Sequence, residues 1–236
     1  MKFFGEDIDP QRRDLLIALL ASGAFIPTMS AAALLGNVPK PLRGRSIYLL
    51  NGEVKVDGAA ADISTPITSG SLVETGPSSK VIFVVDKDAF ILRDNSRVQL
   101  TPPVDDGVVV ETLRLFTGKL LSVFGKRRHR LRTSTATIGI RGTGLYAEAD
   151  QEKSYICTCY GVVDIASAND PSQTQTVEST HHDKPVYVLA TGANAIKKAP
   201  FINHTDDELA LIETLVGRET PFPIDPGEAR GRSRSY

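Results

Sequence analysis

The sequence predicts an all-β fold, solenoid-like or sandwich, with one short C-terminal helix. Three observations carry that prediction. From residue 46 onward, runs of β-branched, aliphatic and aromatic residues recur about every 8–12 positions, separated by Gly, Pro, Asn and Asp clusters. A glycine leads into several of these runs, in a loose internal echo: Gly52-Glu53-Val54-Lys55-Val56, Gly118-Lys119-Leu120-Leu121-Ser122-Val123 and Gly161-Val162-Val163-Asp164-Ile165. Past the leading segment, one stretch has a convincing helical pattern. Thr205-Asp206-Asp207-Glu208 is a capping box, Leu209, Ile212, Leu215 and Val216 form an apolar stripe, and Gly217 suits the C-terminal cap.

In chain order, residues 1–14 are short and polar and end in Gln11-Arg12-Arg13-Asp14. Residues 15–36 then carry no charge. A spanning helix needs about 20 apolar residues and a signal-peptide core about 7–15, so both a cleaved signal and a retained membrane anchor fit. Ala31-Ala32-Ala33 offers a small-x-small cleavage site, and Arg12-Arg13 before the apolar run resembles a twin-arginine export signal. Either reading places the remainder in the periplasm, soluble or anchored at the inner membrane with the Arg pair on the cytoplasmic side. Residues 37–45, with Pro39, Pro41, Lys40, Arg43 and Arg45, read as a linker.

Strands are expected over 47–50 and 53–56, with Asn51-Gly52 as a tight turn between them. Further strands are expected over 72–75, 80–85, 90–93, 97–100, 108–116 and 119–124. Residues 125–132, GKRRHRLR, hold five Lys and Arg residues. They read either as a solvated loop or as an anion-binding patch for lipid phosphates or a glycan. Residues 133–140 and 145–149 read as extended around the punctuation Arg141-Gly142-Thr143-Gly144, where Gly142 and Gly144 suit a bulge or a close backbone approach. Asp150 to Lys153 form a polar turn before a strand over 154–160. The β domain is thus bounded at 46–200, the helical segment at 201–218 and a disordered tail rich in Pro, Gly, Arg and Ser at 219–236.

The string Ile138-Gly139-Ile140-Arg141-Gly142-Thr143, followed by Gly161-Val162-Val163-Asp164-Ile165, resembles the signature of the FecR domain, the periplasmic part of iron-dicitrate-type regulators. Gly52 to Gly58 resembles that family's opening strand, and Thr65 to Gly76 its threonine-rich segment ending in Thr-Gly. The resemblance covers roughly residues 45 to 190. It implies a stand-alone, exported, non-catalytic module for signal transduction, sensing or scaffolding in the bacterial envelope through a protein or ligand partner. In the family, a helical cytoplasmic segment handles a sigma factor. Only residues 1–14 precede the apolar run here, too few to bury a core, so a transmembrane sigma-factor regulator ranks third.

Charge and motifs narrow the function further. With 27 basic and 28 acidic residues the formal net charge is −1, which argues against bulk electrostatic binding to nucleic acid. There is no Gly-x-Ser-x-Gly elbow and no phosphate-binding Gly-rich loop leading into a helix, so the chain is read as non-enzymatic. The constellation with chemical content is Cys157-Thr158-Cys159 with His181-His182-Asp183. On a strand Cys157 and Cys159 share one face. A hairpin centred near Asp170, in the turn Asn169-Asp170-Pro171, sets Cys159 opposite His181 and Cys157 opposite Asp183; a one-residue slip brings His182 onto that face. Two thiolates, imidazole and carboxylate suit zinc or copper, making a periplasmic metal-binding or metal-sensing protein the alternative function. The same thiols could instead be redox-active, or simply small buried side chains.

Overall fold

The computed structural model describes residues 40–102 and 112–223. The expected leader or anchor, part of the linker, and the tail from residue 224 lie outside the described residues. Among the described residues no helix is long and apolar enough to cross a membrane.

Among the described residues the fold is all-β with one short helix. The first seven strands are β1 (Ile47–Asn51), β2 (Val54–Val56), β3 (Ala59–Ala60), β4 (Leu72–Thr75), β5 (Lys80–Val85), β6 (Asp88–Leu92) and β7 (Arg97–Thr101). Then come β8 (Thr112–Val123), β9 (Arg128–Arg132), β10 (Ala136–Ala149) and β11 (Lys153–Ser167). β12 (Thr174–Ser179), β13 (Val186–Leu189), β14 (Ile196–Lys198) and the helix α1 (Asp206–Leu215) complete it. All the described strands join one hydrogen-bonded sheet that folds over on itself. One layer runs β3-β2-β4-β7, then the first half of β8, β9, the first half of β10, the second half of β11, and β12. The other runs β1-β5-β6, then the second halves of β8 and β10, the first half of β11, β13 and β14.

Between the layers lies the main core, with Val73, Val98, Leu113, Leu131, Ile138 and Val163 meeting Phe83, Phe90, Leu120, Leu145, Ile156 and Val188. A second apolar cluster covers the outer face of the second layer. Ile91, Leu121, Tyr146, Tyr155, Cys157 and Cys159 pack there against Leu209, Ile212 and Leu215 of α1. The helix begins as its sequence dictates: Thr205 accepts from the Glu208 amide, and the Glu208 carboxylate accepts from the Thr205 amide. Arg93 at the end of β6 donates two hydrogen bonds to Glu208, at 2.8 and 2.9 Å, and fixes the helix start over the sheet.

Strands β8, β10 and β11 pass from one layer to the other, and each bends at glycine. In β10 and β11 the two bends interlock. A Cβ on Gly144 would run into the Tyr160 ring, and one on Gly161 into the Thr143 side chain. Gly161 also has φ +90°, a conformation that costs most residues 1–3 kcal/mol in order of magnitude.

Several local expectations change. Asn51-Gly52 does not close a hairpin: β1 pairs with β5 in one layer, and β2 with β3 and β4 in the other. The runs expected at 108–116 and 119–124 are continuous through Gly118 from Thr112 to Val123. The basic run is a loop only over residues 125–127: Arg128–Arg132 is a strand with His129 and Leu131 buried and its arginines exposed. The tail expected from 219 begins as a packed segment, since the Phe222 ring lies 4.2 Å from that of His181.

The corner predicts a pair of outcomes. Gly161→Ala should lower unfolding free energy by about 2 kcal/mol or more, because strain and clash coincide. Gly139→Ala, whose Cβ would make only ordinary contacts at 3.8 Å, should leave the urea midpoint unchanged or slightly raised.

Candidate metal centre

The centre grows out of β11. Its segment from Ser154 to Tyr160 is buried on both faces. Ile156 joins the inter-layer core, while Tyr155, Cys157 and Cys159 point to the outer face. β10 pairs along almost all of β11, with Tyr146 opposite Cys157. β12 returns antiparallel in the register set by the turn at Asp170, with Gly161 opposite Ser179 and Val163 opposite Val177.

Beyond Ser179 the ladder stops. Asp183 accepts from the amide and hydroxyl of Thr180 at 2.8 and 2.9 Å and so closes a turn. His182 takes φ +55°, and its amide donates to the Cys159 carbonyl at 2.9 Å. This turn carries His182, rather than His181 or Asp183, onto the cysteine face. Its Nδ1 lies 3.5 Å from Cys157 Sγ.

The fourth member comes from the other end of the domain. His204 immediately precedes the helix cap and is buried, its ring stacked on Tyr146 at 4.4 Å. Its Nε2 lies 3.4 Å from Cys159 Sγ and 3.1 Å from His182 Nδ1. The four ligand atoms of Cys157, Cys159, His182 and His204 all fall within 4.8 Å of one another. In a tetrahedral site with Zn–S about 2.3 Å and Zn–N about 2.0–2.1 Å, such atoms stand about 3.3–3.8 Å apart. The residues therefore fit a four-coordinate thiolate/imidazole ion with side-chain shifts of up to about 1 Å.

The outer nitrogens are also engaged. His204 Nδ1 is 2.7 Å from the Ile202 carbonyl, and His182 Nε2 is 3.0 Å from Asp206 Oδ1. These contacts give the outer nitrogen of each ring an acceptor, so that in the neutral ring the inner nitrogen can serve as a lone-pair donor, the arrangement metal-binding histidines use. Asp206 is the first residue of α1, where the helix dipole favours its charge. Its other oxygen, Oδ2, lies 2.9 Å from His181 Nε2.

Protonation follows from this crowding. Burial opposes ionisation of Cys157, but hydrogen bonds from Cys159, His182 and His204 outweigh it and hold its thiol well below the usual range. Burial, then the neighbouring Cys157, push the Cys159 thiol well up. His182 is raised: burial opposes the charge, and Cys157 and Asp206 together favour it.

The residues expected to form a site thus part company. Cys157, Cys159 and His182 converge; Asp183 caps a turn; His181, its side chain 42% exposed, lies at the edge of the cluster, its ring 4.8 Å from that of His182 and its Nε2 on Asp206. His204 was not singled out from the sequence. The available signal was its position just before a capping box whose apolar stripe must dock on the sheet. Arg141, Gly142, Thr143 and Gly144 build the corner between layers. Arg141 is exposed and paired with Asp164, Gly142 has φ +58°, Thr143 is buried against Gly161, and Gly144 receives the Tyr160 ring.

Two variants separate ligands from neighbours. Asp206→Asn should keep the metal stoichiometry but weaken affinity about 10- to 100-fold, read by competition with a chromophoric chelator. Asp183→Ala, which loosens the turn that carries His182 without touching a donor atom, should lower the melting temperature and weaken affinity less than Asp206→Asn.

No family model and no curated protein matches the chain. Among solved structures it is similar to two crystal structures, at 1.65 and 2.50 Å resolution, of what is described as a "putative anti-sigma factor" from Parabacteroides distasonis ATCC 8503. Each comparison gives a TM-score of 0.45 at 13% identity, covering 54% of this chain and 58% of the other. The chain therefore spans little more than half the length of those structures.

Proposed function

We propose that this chain is a non-catalytic FecR-like envelope domain whose helical cap carries a zinc-binding Cys2His2 centre, with copper(I) the competing ion. The carrying observation is the convergence of Cys157, Cys159, His182 and His204 within 4.8 Å. Four protein ligands complete a tetrahedral shell and leave no open position for substrate, which favours a structural or sensing role over catalysis. Mixed thiolate and imidazole donors favour zinc. A disulfide is the weaker use of the same thiols. Alternate residues on an extended strand have Cα atoms about 6.4–6.8 Å apart, at the upper edge of what a disulfide spans.

The FecR-like reading rests on the Arg141-Gly142-Thr143 corner and the strand that follows Gly161. Export rests on the uncharged stretch 15–36. The centre gives such a domain something to sense. His204 and Asp206 belong to the helical cap, while Cys157 and Cys159 belong to the sheet. An ion shared between them ties cap to sheet, and its loss frees the helix for a protein partner.

The test is native mass spectrometry and elemental analysis of the full chain exposed to equimolar zinc. One zinc per chain is expected. It should be lost in Cys159→Ser and His204→Ala and kept in His181→Ala. A wild-type chain that takes up no metal, or metal that persists in Cys159→Ser, would refute the proposal. Chelation should also raise hydrogen exchange in Asp206–Leu215 well above that in β5 and β6, and equal exchange in both would remove the sensing half of the reading.

A further inference from the structure

The outer face of the first layer, opposite the helical cap, is chemically unlike the remainder of the surface. β9 points Arg128, Arg130 and Arg132 to solvent from alternate positions, about 6.4–6.8 Å apart. Arg141 of β10 sits directly opposite Arg128, and Arg114 of β8 directly opposite Arg132. All five are exposed. Neighbouring strands lie about 4.8 Å apart, so five guanidinium groups share a patch of about 13 by 10 Å. Arg141 pairs with Asp164; among the described residues the other four have no ion pair.

Like charges directly opposed across strands are destabilising. The chain as a whole is nearly neutral, at −1, so this density does not follow from general basicity. Any solvated residue would satisfy the fold at these positions, because the buried face of β9 is supplied by His129 and Leu131. The half-buried Phe116 ring lies 4.7 Å from the Arg114 guanidinium, which orients that side chain. Arginine forks bind phosphate oxygens in pairs, and a flat open array suits many phosphates in a plane.

We propose that this arginine face docks on the phosphate headgroups of an anionic lipid bilayer. Charge complementarity supports that occupant: guanidinium forks on one open face meet a plane of phosphates. The inference stands apart from the metal centre, which lies on the opposite outer face.

The experiment is co-sedimentation of the full chain with vesicles of phosphatidylcholine alone or with about one-third phosphatidylglycerol, at about 0.1 M and about 0.5 M salt. Comparing the two lipids subtracts whatever binding the apolar stretch contributes. The anionic vesicles should be preferred about 10- to 100-fold at low salt, and the preference should collapse at high salt. The triple variant R128Q/R130Q/R132Q should lose it, while its melting temperature stays level or rises as repulsion is relieved. C159S should keep it. Equal binding to both vesicles, or an anionic preference that survives in the triple variant, overturns the proposal. So does binding to a soluble sulfated polysaccharide without any preference among vesicles.

Discussion

The register between β10 and β11 is the constraint on which the remaining structure depends. These two strands pair from Ala136 opposite Ser167 to Ala149 opposite Ser154, and they bend together where Gly144 meets Tyr160 and Gly161 meets Thr143. The shared bend lets one pair of strands serve both layers. It also decides which side chains of β11 face the core and which face the helix. A slip of one residue would turn Cys157 and Cys159 into the inter-layer core and Ile156 out of it. The Arg-Gly-Thr-Gly corner is therefore a positioning device. It contributes no donor atom to the Cys157–Cys159–His182–His204 cluster, yet it sets the strand that does.

The helical cap adds the second condition. The outer face of the second layer is apolar and needs a cover, and Leu209, Ile212 and Leu215 provide it, each side chain burying on the order of 2 kcal/mol of transfer free energy. Docking a capped helix there fixes the residues just before it, which is how His204 reaches Cys159 and Asp206 reaches His182. Burial makes the resulting polar cluster costly unless every member is satisfied. A bound cation satisfies two thiolates and two imidazoles at once. Glu213, buried in the last turn of α1, is treated differently: burial raises its carboxyl, and Arg218 at 2.6 Å and the Tyr160 hydroxyl engage it. The cap thus uses ion pairing at one end and convergent donors at the other.

Much of this was legible in the sequence where local rules govern. The capping box at Thr205 and the alternating strands announce themselves within a few residues. The turn at Asp170 was enough to fix the β11–β12 register, and with it the side of the sheet that carries the cysteines. The misses have a common physical origin. His182 replaces His181 because the chain leaves the ladder after Ser179 and takes a left-handed conformation at residue 182, which no pattern signals. His204 lies 45 residues from Cys159, and tertiary docking alone joins them. Asn51-Gly52 looked like a hairpin turn, but burying β1 beside β5 in a different layer outweighed the local preference. In residues 128–132 the arginines masked an ordinary alternation whose inward members, His129 and Leu131, are the structural ones.

The most direct test of the account is X-ray absorption spectroscopy of the zinc-loaded chain, because it reports the atoms bound to the ion independently of stoichiometry and folding. The account predicts a four-coordinate shell of two sulfurs at about 2.3 Å and two imidazole nitrogens at about 2.0–2.1 Å. A shell of oxygen and nitrogen without sulfur would contradict it, since the ion would then sit on the exposed His181 and Asp206 side of the cap and the buried cysteines would play no part in holding it.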